Sequence, residues 1–263
     1  MSIALINDIK YPITQLNSER IQKLRDDARS SLAHTGVFIL PNFLTPTATQ
    51  SIVSEANKLL PQAHHMESVS SVYTSYQSKD QSSLSDTLQM LMRTSLHAIA
   101  YDQFLESSFL KELYEWEQLM NFIAIILGKD QIYRYKDELG ALNLSIMYPG
   151  DELAWHFDEV DFAVSISLQS SESGGEFECA PLIRSGDGEE YNSIADILLD
   201  KSEQVTTVPM ISGTLMLFEG RSSLHRVTRV TGSTPRIVAL LGYDTKPNTV
   251  TSKQLRMARY GRS

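Results

Sequence analysis

The short segment Trp155-His156-Phe157-Asp158 carries the residues with the clearest chemical potential in the chain. In a β-strand, residues i and i+2 point to the same face, so the imidazole of His156 and the carboxylate of Asp158 can converge on one point. A second histidine from a distant strand would complete a set of two histidines and one carboxylate, and His225 is the candidate. Such a set leaves coordination positions open and suits non-haem Fe(II) in its reactions with oxygen. The sequence therefore predicts a catalytic metal site at His156, Asp158 and His225.

A cation follows His225 in an otherwise apolar segment, Arg236-Ile-Val-Ala-Leu-Leu241. An arginine on such a strand points into a core or cavity and needs an anionic partner there. The planar guanidinium suits a carboxylate, which it can bind through two parallel hydrogen bonds. We therefore predict that Arg236 binds the carboxylate of a ligand near the metal.

The elements that must position these side chains are short strands in the second half of the chain, separated by glycine- and proline-containing turns. The predicted strands are Gln131–Tyr135, Ala141–Tyr148, Ala163–Leu168, Glu176–Cys179, Gln204–Val208, Thr214–Phe218, His225–Val227 and Arg236–Tyr243. Such a series suggests an α+β protein with a double-stranded β-helix (jelly-roll or cupin-like) core and N-terminal helices packed on one face. We expect one catalytic domain, 1–263, made of a mainly helical support (1–130), the jelly-roll core (131–245) and a C-terminal tail (246–263).

The first half of the chain shows helical periodicity, interrupted by a strand at 36–40. Helices are predicted at 21–32, from Thr45-Pro46 to Pro61, at 84–95 and at 104–127. The serine-rich residues 66–83 are interpreted as a loop or a mobile cover. Four histidines of this half, which we interpret as structural or surface residues, are His34, His64, His65 and His97.

The order His156-x-Asp158, His225, Arg236 resembles that of the iron(II)/2-oxoglutarate-dependent dioxygenase superfamily, over roughly residues 130–245. Together with the metal segment, residues 174–178 and 217–227 resemble a narrower group, the free-amino-acid radical halogenases and their hydroxylating relatives.

This resemblance implies that His156, Asp158 and His225 hold Fe(II). It also implies that 2-oxoglutarate and O2 are the cosubstrates, with Arg236 on the far carboxylate of 2-oxoglutarate. In the halogenases of the group the metal-binding carboxylate is replaced by Gly or Ala, which frees a position for chloride. Asp158 fills that position here, so the sequence predicts hydroxylation of an unactivated C–H bond, or another oxidative outcome, and not halogenation.

Six further residues are candidates for ligand contacts, each with an ordinary structural reading beside it. The candidates are Tyr133 and Asn143 for 2-oxoglutarate, and Arg93, Glu138, Glu159 and Arg221 for the substrate or the order of its site. The ordinary readings are core packing for Tyr133, a surface helix charge for Arg93 and a solvated turn or loop edge for the acidic residues.

The expected substrate is a small molecule, a free amino acid or a related amine or carboxylate. One alternative keeps the chemistry and changes the substrate to an amino acid in a protein or on a carrier. A second alternative is a non-catalytic jelly-roll module that binds a metal or a carboxylate.

Composition sets the remaining expectations. The chain has 23 Lys and Arg against 32 Asp and Glu, a net charge of −9, which argues against nucleic acid and an anionic membrane as partners. The lone Cys179 excludes an intrachain disulfide and a cysteine-based metal site, and is read as a small buried residue. With no recognisable leader, we expect a cytoplasmic protein. The basic residues Lys253, Arg256, Arg259 and Arg262 are interpreted as a solvated helix face; a phosphate or a partner subunit, as in a homodimer, is the alternative.

Overall fold

The computed structural model describes residues 4–73, 84–185 and 188–263. The helices in these ranges are α1 (Glu19–Thr35), α2 (Pro46–Leu59), α3 (Phe109–Glu115), α4 (Glu117–Ile126), α5 (Tyr191–Leu198) and α6 (Lys253–Tyr260). None of them combines the length and the apolar character that a membrane crossing requires.

Antiparallel strands form the rest of the regular structure. They are β1 (Val37–Leu40), β2 (His64–Ser70), β3 (Met92–Ile99), β4 (Tyr133–Arg134), β5 (Leu142–Met147), β6 (Leu153–His156), β7 (Ala163–Gln169), β8 (Phe177–Ala180), β9 (Arg184–Ser185), β10 (Gly188–Glu189), β11 (Thr206–Val208), β12 (Leu215–Phe218), β13 (Leu224–Val227), β14 (Arg236–Leu241) and β15 (Tyr243–Asp244). The larger sheet has the order β1-β12-β7-β14-β5-β3-β2, and the smaller has the order β11-β8-β13-β6. The prediction of an α+β protein with a two-sheet jelly-roll core is confirmed.

The N-terminal helices begin where the sequence supplies caps. The side chains of Ser18 and Thr45 accept hydrogen bonds from backbone N–H groups of the first turns of α1 and α2, and Pro46 takes the first position of α2. Gly36 ends α1 in the left-handed conformation, with φ +65°, and leads directly into β1. These helices pack on the outer face of the larger sheet, where Leu144 and Ile146 belong to the same core.

The two sheets enclose a second apolar cluster. Met147 and Phe218 reach it from the larger sheet, and Phe177, Cys179 and Val227 reach it from the smaller one. Cys179 is fully buried, as the sequence predicts. Side chains that alternate into this interior share a space with any ligand held between the sheets.

The helix predicted at 84–95 is wrong, because residues 84–91 contain only turns and irregular structure and β3 runs from Met92 to Ile99. Leu96 and Ala98 face the interior between the sheets, while Ile99 belongs to the core under the helices. A strand that is buried on both faces loses the polar–apolar alternation that would identify it, so its apolar spacing imitates a helix.

Two other boundaries differ from the prediction. The serine-rich loop expected at 66–83 begins as strand β2, and residues 74–83 lie outside the described residues. The long helix predicted at 104–127 is two helices, because Trp116 adopts an extended conformation (φ −71°, ψ 117°) between α3 and α4.

The solvated face predicted for the basic C-terminal residues is present only in part, because Lys253 and Arg262 are exposed while Arg256 and Arg259 are partly buried. Arg256 pairs with Asp137, whose side chain is fully buried, at 3.1 Å, and Arg262 forms a bidentate pair with Asp102 at 2.5 and 2.7 Å. These pairs fix α6 and its exit against the sheet edge, and Tyr260 reaches the interior cluster. Tertiary contacts therefore recruit charges that the spacing alone assigns to solvent.

Candidate metal centre

His156 and His225 are brought together by the pairing of β6 with β13. The two residues lie directly opposite each other, with ring centroids 4.0 Å apart. The next registered pair is Val227 with Leu153, so β6 carries one more residue than β13 over this stretch. Such a bulge re-aims side chains at the end of a strand, and here it accompanies the convergence of the two imidazoles.

Asp158 lies just beyond the end of β6. Its backbone N–H donates to the carbonyl of Gly220 at 3.0 Å, which ties the segment to the turn before β13. Its Oδ1 lies 3.7 Å from Nε2 of His156 and 3.6 Å from Nε2 of His225. The three ligand atoms thus form one compact face. The distances from Oδ1 of Asp158 to the two nitrogens are slightly longer than those between neighbouring ligand atoms around a bound metal.

Both histidines are oriented by the same local contact. Nδ1 of His156 lies 2.8 Å from the carbonyl of Ala154, and Nδ1 of His225 lies 3.0 Å from the carbonyl of Ser223. A proton on Nδ1 satisfies each carbonyl and leaves Nε2 with a lone pair directed at the shared point. This is the tautomer that binds a metal through Nε2.

Burial and neighbouring charges determine the protonation states of His156 and Asp158. Desolvation, followed by the charge of His225, lowers the pKa of His156 to about 4. Burial alone would raise the pKa of Asp158, but the neighbouring His225, His156 and Arg259 outweigh it and lower the pKa to about 2. A neutral imidazole and an ionised carboxylate are the forms that ligate a divalent cation.

Aromatic rings surround His225 on the interior side. Phe218 meets its ring edge-on at a centroid distance of 4.7 Å, and Phe177 lies at 5.7 Å. Trp155 and Phe157 pack in a separate cluster, under the guanidinium groups of Arg226 and Arg184 respectively. The ligands therefore stand on a rigid support.

Arg236 is a buried cation in the interior between the two sheets. It pairs across the sheet with Met147 of the interior cluster, only 7% of its surface is exposed, and it has no ion pair within the described ranges. Burial lowers its pKa to about 10. Burying a charged guanidinium without a partner lowers the stability of the folded protein unless a ligand supplies an anion. The site therefore fits an anionic group such as a carboxylate.

Other polar atoms of the same sheet are also buried without a hydrogen-bond partner among the residues that the structure describes. They are Oδ1 of Asn143, Oγ of Ser165 and Oγ1 of Thr214. Buried polar atoms are usually satisfied, so these atoms point to a polar ligand between the sheets. Asn143 was selected from the sequence; Ser165 and Thr214 were not, because short hydroxyl residues on strands carry no distinctive signal.

Two of the sequence candidates lie away from this interior. The hydroxyl of Tyr133 donates to Gln131 at an exposed position, on the separate β4–β15 pair. Arg93 is on strand β3 and not on a helix, and it alternates with Leu96 on the opposite face, where it pairs with Glu67 at 2.8 Å. The geometry supports neither as a contact of a ligand bound at the metal face.

The remaining candidates lie at the surface. Glu138 and Glu159 are exposed, and Arg221 is bound by Asp161 at 2.6 Å and by the carbonyl of Glu159. Arg221 therefore ties together the loop that follows Asp158. The structure brings neither acidic side chain into the interior.

Arg259 is a residue that sequence reasoning assigned to solvent. Its positive charge is among those that lower the pKa of both His156 and Asp158, so it stands within electrostatic range of the metal face. Its Nε is buried without a hydrogen-bond partner in the described part of the chain. Burial, followed by the charges of Asp244 and Asp158, raises the pKa of Tyr135.

The sequence matches one known protein family over most of its length. The sequence model of the Halogenase D family matches residues 20–258. No curated protein matches the chain by sequence.

Solved structures share the fold at low sequence identity. The epimerase SnoN from nogalamycin biosynthesis has a TM-score of 0.59 at 14% identity, covering 85% of this chain and 81% of that chain. A 2OG-Fe(II) oxygenase family oxidoreductase from Burkholderia pseudomallei gives 0.52 at 14%, covering 84% and 90%. A prolyl hydroxylase from Trichoplax adhaerens, in complex with a hypoxia inducible factor peptide fragment, gives 0.54 at 15%, covering 87% and 94%.

Proposed function

The chain belongs to the Halogenase D family, and we propose that it is an Fe(II)- and 2-oxoglutarate-dependent oxygenase that hydroxylates a C–H bond of a small amino acid or a related carboxylate. The observation that carries this proposal is the convergence of His156, Asp158 and His225 on one point, with the buried, unpaired Arg236 on the neighbouring sheet. A metal face and a carboxylate clamp in one interior are what a chelating 2-oxo acid requires.

The protein residues have separate tasks in this reaction. Nε2 of His156 and of His225 and the carboxylate of Asp158 would hold Fe(II), and the carbonyls of Ala154 and Ser223 keep both rings in the ligating tautomer. Iron supplies the oxidation chemistry with O2 when it is bound. The apolar rings of Phe177 and Phe218 exclude water from the interior side of His225.

Arg236 would bind the carboxylate of 2-oxoglutarate that lies away from the metal. Its stem packs against Gly175, where a β-carbon would stand 3.2 Å from Cδ of Arg236, so the glycine leaves the guanidinium a fixed path. Asn143, Ser165 and Thr214 offer unpaired polar atoms to the same ligand. Binding would therefore satisfy several groups that are costly to leave unpaired.

Hydroxylation, and not halogenation, follows from Asp158. The halogenases of the group that this sequence resembles have Gly or Ala at this position. Asp158 is ionised, oriented by its neighbours and directed at the same point as the two histidines. A halide would have to displace this carboxylate from the metal.

The substrate class is inferred from Arg259. The charge of this guanidinium contributes to the lowered pKa of Asp158, its Nε lacks a partner among the described residues, and Arg236 is already allotted to the cosubstrate. A guanidinium in that position suits the carboxylate of a free amino acid.

The proposal is tested by anaerobic addition of Fe(II) and 2-oxoglutarate, which should give a weak visible charge-transfer band. Aerobic incubation with a panel of free amino acids should then give succinate and a product heavier by one oxygen atom. Asp158→Ala should lose both signals, while Asp196→Asn, which changes an exposed carboxylate on α5, should keep them.

Two results would contradict the proposed reaction. The absence of coupled and uncoupled 2-oxoglutarate turnover in the native chain, together with an unchanged metal affinity in Asp158→Ala, would exclude the proposed reaction. A halogenated product in the presence of chloride would instead contradict the hydroxylase assignment.

A further inference from the structure

A second group of metal-binding side chains lies on the outer face of the larger sheet. His65 of β2 and His97 of β3 are direct partners across the two strands, and their rings stack with centroids 4.5 Å apart. Asp151, in the turn between β5 and β6, completes the group. Nitrogen and oxygen ligand atoms of the three residues all lie within 4.8 Å of one another.

The distances suit a small divalent cation. Nδ1 of His97 lies 3.3 Å from Oδ2 of Asp151 but makes no hydrogen bond to it, and this buried nitrogen has no other partner in the described ranges. Two ligand atoms bound tetrahedrally to Zn²⁺ at about 2.0–2.1 Å stand roughly 3.3–3.4 Å apart. The His97–Asp151 pair therefore already has the separation of two zinc ligands, and His65 completes the set by a small change of its exposed side chain.

Outer contacts fix the carboxylate in place. Ser95 donates its hydroxyl to Oδ1 of Asp151, and the backbone N–H of Tyr148 donates to Oδ2 at 2.9 Å. The ring of Tyr148 also meets His97 edge-on at 4.8 Å. Hydrogen bonds of this kind orient metal-binding carboxylates in known sites.

The group is separate from the iron centre. Leu96 and Ala98 of β3 face the interior between the sheets, so His97, between them, points to the other side. The same alternation puts His65 outside, opposite His97. No residue of the group contributes to the face formed by His156, Asp158 and His225.

We propose that His65, His97 and Asp151 form a second metal site, which takes a borderline divalent cation such as Zn²⁺ and joins β2, β3 and the turn after β5. Two imidazoles and one carboxylate suit Zn²⁺, with water in the remaining position. The site is open to solvent through His65, which gives the cation an entry path. A bound cation would stabilise the outer edge of the larger sheet, because it binds a geometry that exists only in the folded chain.

The test uses the full chain with the iron ligands removed by His156→Ala and His225→Ala, which leaves the second site as the remaining metal-binding group of the described residues. Titration with Zn²⁺ by calorimetry should give about one Zn²⁺ per chain and a rise in melting temperature. Adding His65→Gln or His97→Gln should weaken Zn²⁺ binding by about tenfold or more and remove the thermal shift. His34→Gln, which removes an exposed histidine of α1, is the matched control and should change neither.

The proposal is overturned if the background variant binds no Zn²⁺, or if binding persists unchanged in both glutamine variants. Because His65 is exposed, His65→Gln leaves the core intact, and circular dichroism of each variant verifies the fold. The result does not depend on iron, 2-oxoglutarate or turnover, so it stands or falls separately from the proposed oxygenase reaction.

Discussion

Gly220 lies directly against the side chain of Asp158. A β-carbon at position 220 would stand 2.6 Å from Cγ and 2.9 Å from Cβ of Asp158, and the carbonyl of Gly220 accepts the backbone N–H of the same residue at 3.0 Å. The turn before β13 thus shapes the space that the metal-binding carboxylate occupies. The position of a ligand that follows β6 is therefore restricted by a residue that follows β12.

We expect Gly220→Ala to lower the affinity for Fe(II) by about tenfold or more, because the added methyl group pushes the Asp158 carboxylate away from the two histidines. Anaerobic titration followed by the charge-transfer band measures the effect. In an Asp158→Gly background, Gly220→Ala should cost no further affinity, since the crowded side chain is gone. An additive loss in the double variant would contradict the steric explanation.

Arg236→Met should make the ligand-free protein more stable and unable to bind 2-oxoglutarate. A pKa of about 10 against the usual 12.5 means that the folded state disfavours the cation, and this penalty is fully present at neutral pH. At 1.36 kcal/mol per pKa unit, the substitution should raise the free energy of unfolding by roughly 1–3 kcal/mol. Thermal unfolding with and without 2-oxoglutarate checks both effects; a less stable variant would show that Arg236 has a partner in the resting protein.

Arg259→Gln should raise the KM for the amino-acid substrate by about tenfold or more, because it removes a charge-assisted hydrogen bond to the substrate carboxylate. The charge-transfer band with Fe(II) and 2-oxoglutarate should remain, and Arg259→Lys should recover part of the affinity. Arg262→Gln, which breaks an exposed pair with Asp102 in the same C-terminal segment, is the control. Loss of the band in Arg259→Gln would place its role at the cosubstrate instead.

Asp137→Asn should lower the free energy of unfolding by about 2–4 kcal/mol without a direct effect on iron binding. The fully buried carboxylate accepts backbone N–H groups of Leu139, Gly140 and Thr251 and pairs with Arg256. Urea unfolding of both proteins measures the loss. An unchanged midpoint would show that the amide replaces the carboxylate without cost.

The same carboxylate predicts a pH dependence. Burial would raise the pKa of Asp137, but its hydrogen bonds outweigh that effect and the pKa is lowered. A carboxyl group whose pKa is lower in the folded state contributes stability above its unfolded pKa and loses it as the pH falls through the acidic range. The stability difference between the native chain and Asp137→Asn should therefore shrink on acidification.

The sequence by itself determined the elements and residues whose signals are local. The spacing of His156 and Asp158, the later His225 and the charged start of the apolar segment at Arg236 are each readable within a few residues, because strand alternation is a short-range property. The caps at Ser18 and Thr45 also follow from their own neighbours. These signals sufficed for the fold class and for the metal face.

Only the tertiary structure decided the features that depend on pairing between distant segments. Strand β3 is buried on both faces, so the composition of Met92–Ile99 does not separate a strand from a helix, and the register that sets His65 opposite His97 depends on the sheet it joins. The environment of Arg259 depends on ion pairs of Arg256 and Arg262, which hold α6 in place. The local spacing of residues determines which side chains lie on the same face of one helix or strand. Which of these faces contact each other is determined by how whole helices and strands pack together, and that depends on residues far apart in the sequence.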